Sequence, residues 1–121
     1  ERLRELGESG WGWIRLTVAQ NPFAPEDALM KLARDEEFRI RLAVAKNPNV
    51  SAEVLAVLVE NSGKEIQSVV VKHPNTGEET LHKLFAGYKD EIAIRENLPA
   101  SILEQFYREK AIDDKPLWKH K

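Results

Sequence analysis

Three histidines, His73, His82 and His120, are the side chains best suited to general-base or metal chemistry. None stands at a ligating spacing from a second His or an acid. The His-Glu-x-x-His pattern, which puts two imidazoles on one helical face, is missing. His73 precedes a proline and reads as a turn residue; His82 falls on the polar side of a helical stripe; His120 lies in the tail. Gly10-Trp11-Gly12-Trp13 lacks the Gly-x-Gly-x-x-Gly spacing and the preceding strand of a phosphate loop. Its tryptophans read either as a cover over an open end of the fold or as an aromatic cage. No serine has Gly-x-Ser-x-Gly context. The chain has no cysteine, which removes disulfides, thiolate zinc sites, cysteine-ligated iron–sulfur clusters and thiol nucleophiles together. The expectation is no catalytic residue, no metal site and no cofactor.

Charge gives a second route to function. Eighteen basic and twenty acidic side chains interleave, and each of the segments 1–13, 14–39, 40–65, 66–91 and 92–121 lies within one charge of neutral. No polybasic patch exists to release counterions from a nucleic acid or to hold an anionic membrane. No apolar run approaches spanning length, and Glu1-Arg2-Leu3-Arg4-Glu5 has no signal-peptide core, so the expected compartment is the cytoplasm. The chain starts at Glu1 rather than Met, which leaves room for a leader or further repeats upstream.

The elements that position these residues come from an internal repeat. Val18-Ala19-Gln20-Asn21-Pro22, Val44-Ala45-Lys46-Asn47-Pro48 and Val70-Val71-Lys72-His73-Pro74 follow one another at 26 residues. The same offset aligns Ile14, Ile40 and Ile66 upstream, and Ala28/Val54/Thr80, Leu29/Leu55/Leu81, Leu32/Leu58/Leu84 and Ala33/Val59/Phe85 downstream. A shortened fourth copy places Ile92–Asn97 on the first helix at an offset of 24, and Ile102, Leu103, Phe106 and Tyr107 on the second at 22, with two residues missing from the turn. Leu3 and Leu6 precede Leu29 and Leu32 by 26, so the chain opens on a half-repeat or cap.

Each unit predicts two helices. The first stops at Asn-Pro, because proline disfavours α geometry in the residue before it. The second carries the i, i+1, i+4, i+5 stripe of a one-sided helix. Pro25 suits its first position, Thr76 with Glu79 has the spacing of a capping box, and Gly63 and Gly87 suit helix stops. Asp27, Glu53 and Glu79 recur near the positive helix end, and Asp27 with Lys31 and Glu79 with Lys83 are spaced to pair. Neither helix buries its stripe alone, so units must stack. The expected fold is all-α, an α-α superhelix of about four two-helix units of 26 residues within a single domain 1–121: cap 1–13, repeats 14–39, 40–65 and 66–91, and a degenerate terminal repeat with tail 92–121.

Val-Ala-x-Asn-Pro, a second proline four residues after the Asn, and Leu-x-x-Leu-Ala-x-Asp, read from Val18 through Asp35, resemble the leucine-rich variant repeat family of bacterial proteins. More loosely, the pattern resembles HEAT-type helical solenoids. The resemblance implies a superhelical scaffold. The family unit is shorter and alternates α with 3-10 helix, whereas 26 residues leave room for two fuller α-helices. One family member holds a cysteine-bound iron–sulfur cluster, for which this chain has no ligands.

Two surfaces carry candidate binding residues. On the second helices, Lys31, Val57 and Lys83 share a column beside Met30, Ala56 and His82. Ala56 and Val57 interrupt its polarity, either because the central helix is more enclosed or because they form an apolar spot between Lys31 and Lys83, with the make-up of a partner or self-association site. On the first helices, Arg15, Arg41 and Gln67 repeat, followed by Gln20, Lys46 and Lys72; Arg15, Arg41, Lys46 and Lys72 are the residues a nucleic-acid-binding solenoid would use. The leading expectation is a non-catalytic protein- or peptide-binding scaffold, and the alternative is nucleic-acid binding.

Overall fold

The residue before proline sets the length of the first helix in each of the first three units. In the computed structural model α1 (Gly12–Gln20), α3 (Phe38–Lys46) and α5 (Lys64–Lys72) end on Asn21, Asn47 and His73. Each of these residues is extended, at ψ 121°, 124° and 132°, the geometry a following proline enforces. Their N–H groups return to the carbonyls of Val18, Val44 and Val70 at 3.0, 3.1 and 3.0 Å and close the last turn. The structure describes Leu6, residues 10–95 and residues 98–108. Most of the expected cap 1–13, Leu3, Glu96, Asn97, the tail from 109 and His120 lie outside the described residues.

The second helices are α2 (Glu26–Leu32), α4 (Ala52–Asn61) and α6 (Glu78–Leu84). Their starts correct three local expectations. Pro25 is the residue before the helix, not its first. Ser51 caps α4 by accepting from the Val54 N–H at 3.3 Å. The equivalent position before α6 is Gly77, so Thr76 makes no capping box; it is buried, and its hydroxyl donates to the Val70 carbonyl. Gly63 precedes α5 as its N-cap instead of stopping α4, which ends on Ser62. Both helices of each unit are α, and the described residues contain no strand.

Stacking follows the repeat. Each first helix packs on the first helix of the next unit, and each second helix on the next second helix, giving two layers with one core between them. Ala28, Leu29, Leu32 and Ala33, with their counterparts in the next two units, are all buried, as are Ile40, Ile66 and Ile92. The protein is therefore an all-helical repeat stack, a helical solenoid.

The fourth unit consists of α7 (Lys89–Ala93) and α8 (Ala100–Arg108). Here the expected alignment is corrected. Ile92 is fully buried at an offset of 26 from Ile66, whereas Ile94, aligned with buried Val70 by the offset of 24, is 80% exposed. The residues are lost within the first helix, which stops after five residues, and not only from the turn. On α8, Ile102 and Phe106 are buried, and Phe106 meets Phe85 edge-on at 4.7 Å. Leu103 is half-buried and Tyr107 exposed, because no further unit packs against them among the described residues.

Candidate functional site

Most polar side chains with specific geometry hold one unit to the next. The Asn47 amide donates from Nδ2 to the carbonyls of Ala19 and Asn21 at 2.8 and 2.9 Å, while its Oδ1 accepts the Asn49 N–H at 2.9 Å. One unit on, His73 is buried and repeats the pattern with a ring. Its Nδ1 accepts the Asn75 N–H at 3.0 Å, which leaves Nε2 as the donor to the Asn47 carbonyl at 2.8 Å. In the fourth unit Arg95 takes over, donating from Nη1 to the Val71 and His73 carbonyls at 2.7 and 2.9 Å. Burial lowers its pKa from the ordinary value. Asn49 and Asn75 add a second rail, reaching the Pro22 carbonyl at 2.7 Å and the Val50 carbonyl at 2.9 Å. This ladder satisfies helix-end carbonyls that would otherwise be stranded beside the core.

The arginine column on the first helices is also engaged internally. Arg15 Nε meets Asp35 Oδ2 at 2.7 Å, and its Nη2 meets Glu37 Oε2 at 3.1 Å. The Asp35 hydrogen bond raises the Arg15 pKa above its ordinary value. Arg41 donates to the Asp35 carbonyl at 2.6 Å and to Ser62 Oγ at 3.2 Å. Gln67, the third member, accepts from Tyr88 Oη at 3.3 Å. All three contacts fasten a first helix to a segment that follows a second helix. Lys46 and Lys72, by contrast, are exposed and make no hydrogen bond or ion pair with a described residue.

On the second-helix layer, Lys31 and Lys83 are exposed, while Ala56 and Val57 are half-buried and Val57 packs against the core. Lys83 pairs with Glu60 at 3.1 Å, not with Glu79 as its helical spacing suggested. His82 turns toward α8, with Nδ1 2.7 Å from Gln105 Oε1 and Nε2 3.0 Å from Ser101 Oγ. The Ser101 hydroxyl donates to the Glu78 carboxylate, so its proton is directed away from His82.

Each complete unit is thus a helix, an Asn-Pro or His-Pro turn and a second helix, and the first runs from Gly12 to the segment before Phe38. Residues 12–37 match the leucine rich repeat variant family. No curated protein and no solved structure matches the chain. The leucine rich repeat variant match covers one unit; the later units repeat its buried columns 26 residues at a time.

Trp11 and Trp13, read as a cover for the open end, remain 68% and 66% exposed. Trp13 still lines a hollow of about 200 Å³ with Leu6, Ile14 and Val18. No group of three metal-ligating side chains forms among the described residues. No helix among them is long and apolar enough to cross a membrane.

The ladder went unread in the sequence, although its signal was present. Asparagine recurs at 47, 49 and 75 with His73 in the same frame, a density beyond what single turns require.

Proposed function

We propose that this chain is a non-catalytic scaffold that binds a protein or peptide on the layer built by its second helices, without a cofactor and in the cytoplasm. One observation carries the reading. Ala56 and Val57 keep part of their surface in water at the middle of that layer, with Val57 in the column where the flanking units present Lys31 and Lys83. An apolar spot with a charged rim is the composition of a contact site. His82 belongs to this surface only as a strut, because Ser101 and Gln105 occupy its ring.

Nucleic-acid binding through Arg15, Arg41, Lys46 and Lys72 draws less support. Two of the four cations are held by the protein's own carboxylate and carbonyl oxygens, and phosphate binding relies on many free ones.

Val57→Lys tests the reading. The column accepts lysine on both sides and Val57 is only half-buried, so the melting temperature should move by less than about 3 °C. Association with itself or with a partner, followed by sedimentation over a concentration series, should weaken because a charge enters the desolvated centre of the contact. A large fall in melting temperature would assign Val57 to the core. Unchanged melting with unchanged association would leave the face idle, and either result removes the proposal.

A further inference from the structure

Between the turns of the second and third units lies a groove of about 410 Å³. Ala45 and Val69 line it beside the turn prolines Pro48 and Pro74, and Lys46 and Lys72 stand on it with no carboxylate among the lining residues. It is built by the first helices, on elements separate from those that carry Val57.

We propose that this groove binds an acidic peptide in which an apolar side chain lies between two carboxylates. The proposal rests on the reading of the chain as an interaction scaffold and assigns it a second surface. Three features argue for this occupant. Lys46 and Lys72 are the columnar cations left without a described partner, whereas Arg15, Arg41, Lys83 and Arg95 are committed to internal contacts. The lining is largely apolar, so an occupant that offers only charge leaves it unfilled. Finally, the walls are set in advance, because Asn75 holds the Pro48 carbonyl at 3.2 Å, His73 holds that of Asn47, and Arg95 holds that of His73. A rigid groove loses little freedom on binding.

The spacing also fits. Adjacent packed helices lie about 8–10 Å apart, and alternate side chains of an extended peptide share one face at intervals of about 7 Å, so a Glu-x-Leu-x-Glu segment turns its leucine and both carboxylates toward the groove, with the carboxylates about 14 Å apart and the two lysine stems splaying to meet them. A phosphate backbone would meet only two free cations here, too few for the multiple contacts that sustain nucleic-acid affinity.

The test uses a fluorescein-labelled peptide, Gly-Glu-Ser-Leu-Ser-Glu-Gly, its Gly-Gln-Ser-Leu-Ser-Gln-Gly counterpart and a labelled twelve-nucleotide DNA, each titrated by anisotropy against the full chain. The acidic peptide should bind more tightly than the glutamine peptide and the DNA. The double variant Lys46→Gln with Lys72→Gln should keep the wild-type melting temperature and weaken acidic-peptide binding about tenfold, the combined effect of two rim charges. Equal binding by the double variant, no preference for glutamate over glutamine, or no binding at all overturns the proposal. Tighter binding of the DNA, lost in the double variant, overturns it in favour of a phosphate site. Val57→Lys should bind the acidic peptide as the wild type does. A failure of the second-helix face therefore shows in sedimentation alone, and a failure of the groove in the peptide titration alone.

Discussion

Leu58→Ala should lower the free energy of unfolding by about 2–5 kcal/mol, measured by urea denaturation, the range for truncating a buried leucine whose surroundings only partly close the cavity. Leu58 is fully buried, and its helix α4 is packed by α2 on one side and α6 on the other, so the vacated space has walls on both sides. Leu103 holds the column beside the first stripe position in α8 but is half-buried, with no following helix over it among the described residues. Leu103→Ala should cost about 1 kcal/mol, since part of the removed surface is already in water. Equal losses at the two sites would contradict the order of stacking described above.

The second large effect is expected from a polar residue. Asn47→Ala strips donors from the Ala19 and Asn21 carbonyls and an acceptor from the Asn49 N–H, at a residue that is 2% exposed. A buried group left without a partner costs about 1–3 kcal/mol, so the variant should lose at least that much stability in urea. Asn21→Ala is the matched comparison. In the first unit the same column closes its own turn, accepting the Phe23 N–H at 2.8 Å on an exposed segment and reaching no earlier unit among the described residues, and the loss should be a fraction of that at Asn47. His73→Asn, which restores the residue of the two preceding units, should preserve more stability than His73→Ala, because an amide can again donate backward. If Asn47→Ala and Asn21→Ala cost the same, the ladder contributes nothing beyond local turn geometry.

The helical stack was legible because burial repeats. Leu29, Leu55 and Leu81 occupy one environment three times over, and a side chain's need to leave water is written in its type. Hydrogen-bond partners are not written that way. Asn47 has the same local spacing to Asn49 that any turn asparagine has, and only the stacked geometry reveals that its Nδ2 reaches back 28 residues to Ala19. The internal partners of Arg15 and Arg41 are hidden for the same reason. Asp35 lies 20 residues from Arg15, at no helical spacing, and becomes its partner only once the second helix has folded back. The register of the fourth unit misled in another way. Ile94 resembles Val70 in type, but α7 ends before reaching it, and Arg95 has the length to take the ladder position from there.

The ladder has a direction. Asn47, His73 and Arg95 all extend toward the unit before them, so the carbonyls at the end of each first helix are satisfied by a residue translated about one unit later. On the ribosome, each unit therefore emerges incomplete and is finished by the one that follows. The nascent stack is left with one open end, which moves along the chain as synthesis proceeds and which Arg95, with its long reach across the shortened helix, carries past the third unit.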